Sequence, residues 1–260
     1  MLIKLIKYNL YTAKSRYFML MSINLGMMLL SISLKVFGSD TINNFMISMS
    51  VFVSVVTVII SFIFILMEVF GKICGNESIF IFTLPAKTKQ IYFSHLVSSL
   101  LWILFMIAFF ILFWMIWVLL LFSPMLKTLV FAQISAVIQS FYFAKMLLFL
   151  GIVAIYYLCI ILLCAAIVNL PTFKNKNLGM ATGVISWIVI SQLSGLILLL
   201  GLMVYFVING GSLSNVFMND PANLNYIVDS ITIVFGVGMS VLSLIYYFLG
   251  TRVIANHRSL

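Results

Sequence analysis

Nucleophiles, titratable groups and metal ligands are scarce in this chain. The two histidines, His95 and His257, do not form an H-E-x-x-H pair. Cys74, Cys159 and Cys164 contain no C-x-x-C spacing, and Cys159 and Cys164 sit in an apolar run as small packing residues. No G-x-x-x-x-G-K-S/T run is present to cradle a nucleotide phosphate. Ser194-Gly195 resembles a fragment of a serine-hydrolase elbow, but it lacks the flanking glycine and has no histidine at its depth. A small-residue helix contact explains it better. Lys35, Glu68, Lys145 and Asp229 each fall near the end of an apolar run, where a charge can reach interfacial water. A proton- or ion-coupled pump would need a carboxylate or histidine near mid-span, and none is evident. The expectation is a chain with no catalytic residues and no metal site, not an enzyme in itself.

The elements that hold these residues follow from composition. Of 260 residues, 65% are hydrophobic and 7% charged, against about 45–50% and 25% in soluble domains. Too few polar side chains exist to cover a soluble globule. The chain therefore reads as an all-α integral membrane protein forming one transmembrane domain over residues 1–260. The net charge of +9 bears on topology, since no soluble face is large enough to gather it for nucleic acid.

Six apolar runs are long enough to cross about 30 Å of hydrocarbon. They cover residues 17–37, 45–70, 91–122, 146–168, 180–207 and 227–249. Between the third and fourth, residues 125–145 alternate apolar positions (Leu126, Leu129, Val130, Ile134) with Lys127, Gln133, Ser135 and Gln139 at helical spacing. This pattern predicts an amphipathic outer helix lying on the membrane, a seventh span being the alternative. Basic residues decide between them. Six spans with both termini inside place Lys4, Lys7, Lys14, Arg16, Lys72, Lys87, Lys89, Lys174, Lys176, Arg252 and Arg258 in the cytoplasm, leaving only Lys35, Lys127 and Lys145 outside. A seventh span would move four of the eleven inner charges out, so six spans satisfy the positive-inside rule better. Residues 1–16 read as an interfacial helix leading into the first span, not as a cleaved signal. The outer connection 209–226 is rich in glycine, asparagine and proline and reads as turns. No internal repeat is evident, which weakens an inverted-repeat transporter reading.

The most informative stretch is the connection Gly71–Gln90. Asn76 or Ser78 can cap a short helix and Glu77 suits its N-terminal end. Ile79, Phe80, Ile81 and Phe82 then present bulky apolar surface, and Pro85 ends the element. The residues alone leave two readings: docking into another protein's groove, or phenylalanines dipping into lipid.

The run Asn76-Glu77-Ser78-Ile79-Phe80-Ile81-Phe82-Thr83-Leu84-Pro85, followed by Lys87, Lys89, Gln90 and Ile91, resembles a signature of ABC-2 type permeases. These are membrane subunits of bacterial ATP-binding-cassette exporters. The opening Leu2-Ile3-Lys4-Leu5-Ile6-Lys7-Tyr8 is similar to that family's basic-aromatic N-terminal helix. The chain departs at His95, where the family often carries lysine. The resemblance implies that Asn76 through Pro85 form a cytoplasmic coupling helix seated in a separate ATPase subunit. That partner would bind the ATP and magnesium, and two permease chains would line one pathway in the bacterial cell membrane. It also implies export of, or immunity to, amphipathic antimicrobial or cytolytic peptides. Alternatives are hydrophobic drugs, lipid-linked molecules, or an ATPase-independent channel or intramembrane enzyme. Ser54, Thr57, Ser61, Ser98, Ser99, Ser186, Ser191 and Ser194, set among Phe, Met and Leu, are the expected pathway lining. The Trp102, Trp114 and Trp117 set reads as belt and packing.

The charge split yields a first test. Cysteines placed at Lys174 and Arg258, in a background lacking the native cysteines, should resist a membrane-impermeant reagent in intact cells and react after lysis. Labelling of both from outside would overturn six spans with inner termini.

Overall fold

A dry hydrocarbon layer leaves a peptide group no partner except another peptide group, so an apolar span must close its hydrogen bonds within one helix. The computed structural model describes residues 1–37, 40–74, 87–121, 128, 131–135, 141–168, 176–208 and 221–258. All regular structure among these residues is α-helical. The long helices are α1 (Leu2–Phe37), α2 (Asp40–Cys74), α3 (Thr88–Leu121), α4 (Phe141–Val168), α5 (Lys176–Ile208) and α6 (Pro221–Arg258). All six are long and apolar enough to cross a membrane, which makes this a multi-pass helical membrane protein.

The helices outrun the apolar stretches that announce them. α6 has 38 residues and would be about 57 Å long at a rise of about 1.5 Å per residue, well beyond the hydrocarbon. Hydropathy reads the part immersed in lipid, whereas a helix continues until a cap or breaker stops it. Of the expected amphipathic segment 125–145, residues 125–127, 129–130 and 136–140 lie outside the described residues; 131–135 are helical, and 141–145 are the opening of α4 and not the end of a separate outer helix. Of the connection expected as turns over 209–226, residues 209–220 lie outside the described residues too, whereas 221–226 are helical: Pro221 opens α6, a first-turn position where its missing N–H costs nothing.

The chain divides into two compact units. The first comprises residues 1–71 and 93–143, hence α1, most of α2 and most of α3. α1 buries Leu5, Asn9, Ala13, Tyr17, Leu20, Met21, Asn24, Met28 and Ser31, one residue every three or four, the spacing of one helix face. Along that stripe α1 packs parallel to α3. Asn9 Nδ2 donates to Ser94 Oγ at 3.3 Å, Tyr17 stacks on Trp102 with ring centroids 4.4 Å apart, and Met28 clusters with Phe113 and Trp117. α1 and α2 run antiparallel: Tyr17 meets Phe64 edge-on at 6.5 Å, Asn24 meets Thr57, and Ser31 meets Ser50. The stripe starts at Leu5 and runs through residue 16 without a break. The segment 1–16, expected as an interfacial helix, is continuous with the first span in α1 and carries the same buried face.

The second unit comprises residues 72–92 and 144–260. In it α4 is buried all round from Leu158 to Ala166. That fits a run hydrophobic on every face, with Cys159, Cys164, Ala165 and Ala166 small enough for close approach. α4 and α6 run parallel, joined near their starts by Lys145 and Asp229 and further along by Tyr156 and Tyr246. α5 lies antiparallel to α6, Ser194 meeting Tyr246 and Leu198 filling the space over Gly238.

Asn24 is the one amide deep in the α1–α2 seam, and it carries a prediction. Its Nδ2 donates to Thr57 Oγ1 at 2.9 Å and to Leu20 O at 3.0 Å, and its Oδ1 accepts from Ser54 Oγ at 3.3 Å. Asn24→Leu and Thr57→Val should each lower stability by about 1 kcal/mol, the usual scale of interhelical bonds in lipid. The double variant should cost less than the two singles added, because both remove one bond. Unfolding from mixed micelles measures it, and strict additivity would mean that the pair is idle.

Candidate functional site

The apolar run expected to dock on a partner, Asn76, Glu77, Ser78, Ile79, Phe80, Ile81, Phe82, Thr83, Leu84 and Pro85, lies outside the described residues. Its two flanks are described. Ile73, at the end of α2, and Ile91 and Tyr92, near the start of α3, are all buried. Lys72 is buried as well, at 4% exposure, four residues after Glu68 on the same helix face.

Tyr92 is the anchor of the returning flank. Its hydroxyl donates to the Leu162 carbonyl of α4, and its ring meets Tyr247 of α6 at 6.2 Å. Tyr247 in turn donates to Lys89 O at 3.5 Å. Gly250 of α6 makes the fit possible, because a Cβ there would stand 2.6 Å from Tyr92 Oη. The start of α3 is therefore pinned to α4 and α6 by one aromatic side chain seated over a glycine.

The expected lining residues fall in two places. In the first unit, Ser54 and Thr57 are buried and engaged with Asn24. Ser61 is buried and donates to Thr57 O at 2.7 Å. Ser98 and Ser99 are buried on α3, Ser98 donating to His95 O at 3.0 Å. In the second unit, Ser186 and Ser191 donate to the carbonyls of Gly183 and Ile188, each at 2.9 Å. Ser194, fully buried, donates to Ile190 O and lies 2.5 Å from Tyr246 Oη, leaving the Tyr246 proton for Ser194 Oγ. Apart from Ser99, these hydroxyls each donate to a backbone carbonyl of their own helix, as in-span serines do.

Four polar contacts were not foreseen from the sequence. Asn24 is one; a lone amide inside an apolar run was its signal. Asn9 lies against Ser94 and His95, with Asn9 Nδ2 3.4 Å from His95 Nδ1, so His95 is a buried partner of α1. Lys145 and Asp229, expected to reach water singly, are paired at 2.9 Å and only about a third exposed. Tyr92 had no sequence signal beyond its type. Trp102 and Trp117 are buried in aromatic packing, in keeping with their expected role. Among the described residues no group of three or more His, Cys, Asp or Glu could hold a metal.

No protein-family model, no curated protein and no solved structure matches this chain.

The Tyr92–Gly250 fit is testable by itself. Gly250→Ala should destabilise the protein by about 1–3 kcal/mol, the scale of overpacking in a closed core. Tyr92→Phe removes the atom nearest the new methyl, so in that background the alanine should cost clearly less. A full penalty in both backgrounds, read from thermal denaturation in detergent, would place the clash elsewhere.

Proposed function

We propose that this chain is the membrane-spanning permease subunit of an ATP-driven exporter of the ABC-2 type, moving amphipathic peptides out of the cell or away from its membrane. The observation that carries the reading is the motif from Asn76 to Pro85, with Lys87, Lys89, Gln90 and Ile91 behind it, set between the second and third of six membrane-spanning helices. The biased distribution of lysine and arginine agrees with it by putting this connection and both termini in the cytoplasm.

In this reading Asn76 through Pro85 form the coupling helix, with Phe80 and Phe82 as aromatic anchors in a separate ATPase subunit. That subunit binds ATP and magnesium, and this chain hydrolyses nothing. Two permease chains, alike or different, line one pathway in the bacterial cell membrane. The structural support is mechanical. The flank that leaves the motif is tied through Tyr92 to Leu162 of α4 and Gly250 of α6, so a displacement of the motif pulls on two spans at once.

Of the expected lining hydroxyls, those of Ser186 and Ser191 keep part of their surface open and are proposed to meet the polar face of the passenger, whereas Ser61, Ser98, Ser99 and Ser194 are buried and would first have to be uncovered. Ser54 and Thr57 contribute less, because Asn24 already engages them. A compact charged solute is disfavoured, since each charge without water would face a barrier of several kcal/mol.

Phe80→Ala with Phe82→Ala tests the docking role. Each truncation should remove about 2–4 kcal/mol of docking energy. The chain should still insert, while its co-purification with the ATPase and the transport-linked ATP turnover fall together. Undiminished complex and turnover would return the motif to a lipid-dipping loop.

A further inference from the structure

Beside the stripe that α1 buries runs a second stripe that it leaves open. Lys7, Tyr11, Lys14 and Phe18 recur every three or four residues, and Trp102 and Phe105 of α3 face them across a groove of about 480 Å³. That volume lies within the roughly 300–1,000 Å³ of small-molecule sites. The groove crosses a chemical boundary. Its inner half is aromatic and lies in the apolar runs of α1 and α3, where Phe18 and Phe105 remain 45% and 46% exposed. Its outer half carries two ammonium groups. Among the described residues neither lysine has a carboxylate partner; Lys14 instead holds its charge 5.5 Å from the Phe18 ring centroid. Lys7 and Lys14 are two turns apart on one face, close enough for both long side chains to reach a single anion.

We propose that this groove is a binding site for one anionic phospholipid. Its phosphate lies between Lys7 and Lys14, and an acyl chain runs inward along Phe18, Trp102 and Phe105. Charge complementarity selects the occupant. Two unpaired cations above an apolar slot at the membrane surface match a molecule that is acidic at its head and apolar below it, and basic pockets between spans bind such headgroups. An apolar drug leaves the lysines unused, and a soluble phosphate leaves the aromatic slot empty. Trp102 stacks on Tyr17, which also meets Phe64 of α2, so a lipid seated here braces the packing of α1 against both neighbours. The proposal is independent of the exporter reading, resting on the groove alone.

Native mass spectrometry of the full chain, titrated with phosphatidylglycerol or phosphatidylcholine of identical acyl chains, tests it. The expected result is one retained phosphatidylglycerol, bound about tenfold or more tightly than phosphatidylcholine. Lys7→Gln with Lys14→Gln should abolish that preference, and Phe105→Ala should weaken both lipids alike. Arg252→Gln, an exposed cation outside the groove, should change neither. If the glutamine variant does not fold, Lys7→Arg with Lys14→Arg should fold and keep the preference. Equal affinity for the two lipids, a preference that survives loss of both lysines, or displacement by glycerol phosphate alone would overturn the proposal. So would an amphipathic peptide that binds the groove and is not displaced by phosphatidylglycerol.

Discussion

In hydrocarbon a hydrogen-bonding group has no solvent to fall back on, and the helix contacts of this structure follow from how most such groups are satisfied, the buried Trp102 and Trp187 indole N–H groups being exceptions. The backbone closes its own bonds within six long helices. Serine and threonine come next: Ser31, Ser50, Ser54, Thr57 and Ser61 each donate to the carbonyl four residues back. A hydroxyl spent in this way offers a neighbouring helix little more than a lone pair. At the Ser31–Ser50 contact of 2.9 Å, one proton must turn from its own helix to cross. Asn24 is different because its amide has two protons, one for Leu20 O and one for Thr57, and an oxygen left over for Ser54. Its own two protons thus serve both helices at once, and only the bond it accepts from Ser54 competes with a backbone carbonyl, that of Ser50.

The same constraint inverts the usual pattern of a helix face. In water the buried side is the apolar one. Here α2 buries Ser50, Ser54, Thr57 and Ser61 while turning Phe52, Val55, Val58, Ile59 and Phe62 outward. Lipid rewards the outer residues as well as a protein interior would, so packing goes to small side chains and bonds to polar ones. This is why span number and fold class were legible in the sequence and the packing was not. A run of about 20 apolar residues announces a crossing whichever way it faces. Periodicity that marks the core of a soluble helix is weak when both faces are apolar. The polar stripe of α2 was visible as spacing, but spacing could not distinguish a passage lining from a helix seam. Pairing suffered more. Lys145 and Asp229 are 84 positions apart, and only the parallel docking of α4 and α6 brings them to 2.9 Å. The motif at 76–85 was legible through its residue types and their resemblance to a known signature, and its own geometry lies outside the described residues.

Charge and packing meet at the opening of α1, and their combination has a consequence for how the protein sits in its membrane. Had residues 2–16 lain flat on the surface, their lysines would have spread into the headgroups without order. Joined to α3 through Asn9 and Tyr17, the helix holds its lysines in fixed rotation about its axis. Lys7 and Lys14 are thereby placed above the aromatic slot and not dispersed around it. The polar contact of Asn9 with Ser94 and His95 sets the axial register of the pair, since a slip of one residue would bury an amide against apolar side chains. A buried hydrogen bond in one stripe thus fixes the position of charges in the next. The two stripes meet where Phe18 lies against Phe105 and Tyr17 stacks on Trp102, so the aromatic end of the groove belongs to the α1–α3 packing while Lys7 and Lys14 stand outside it.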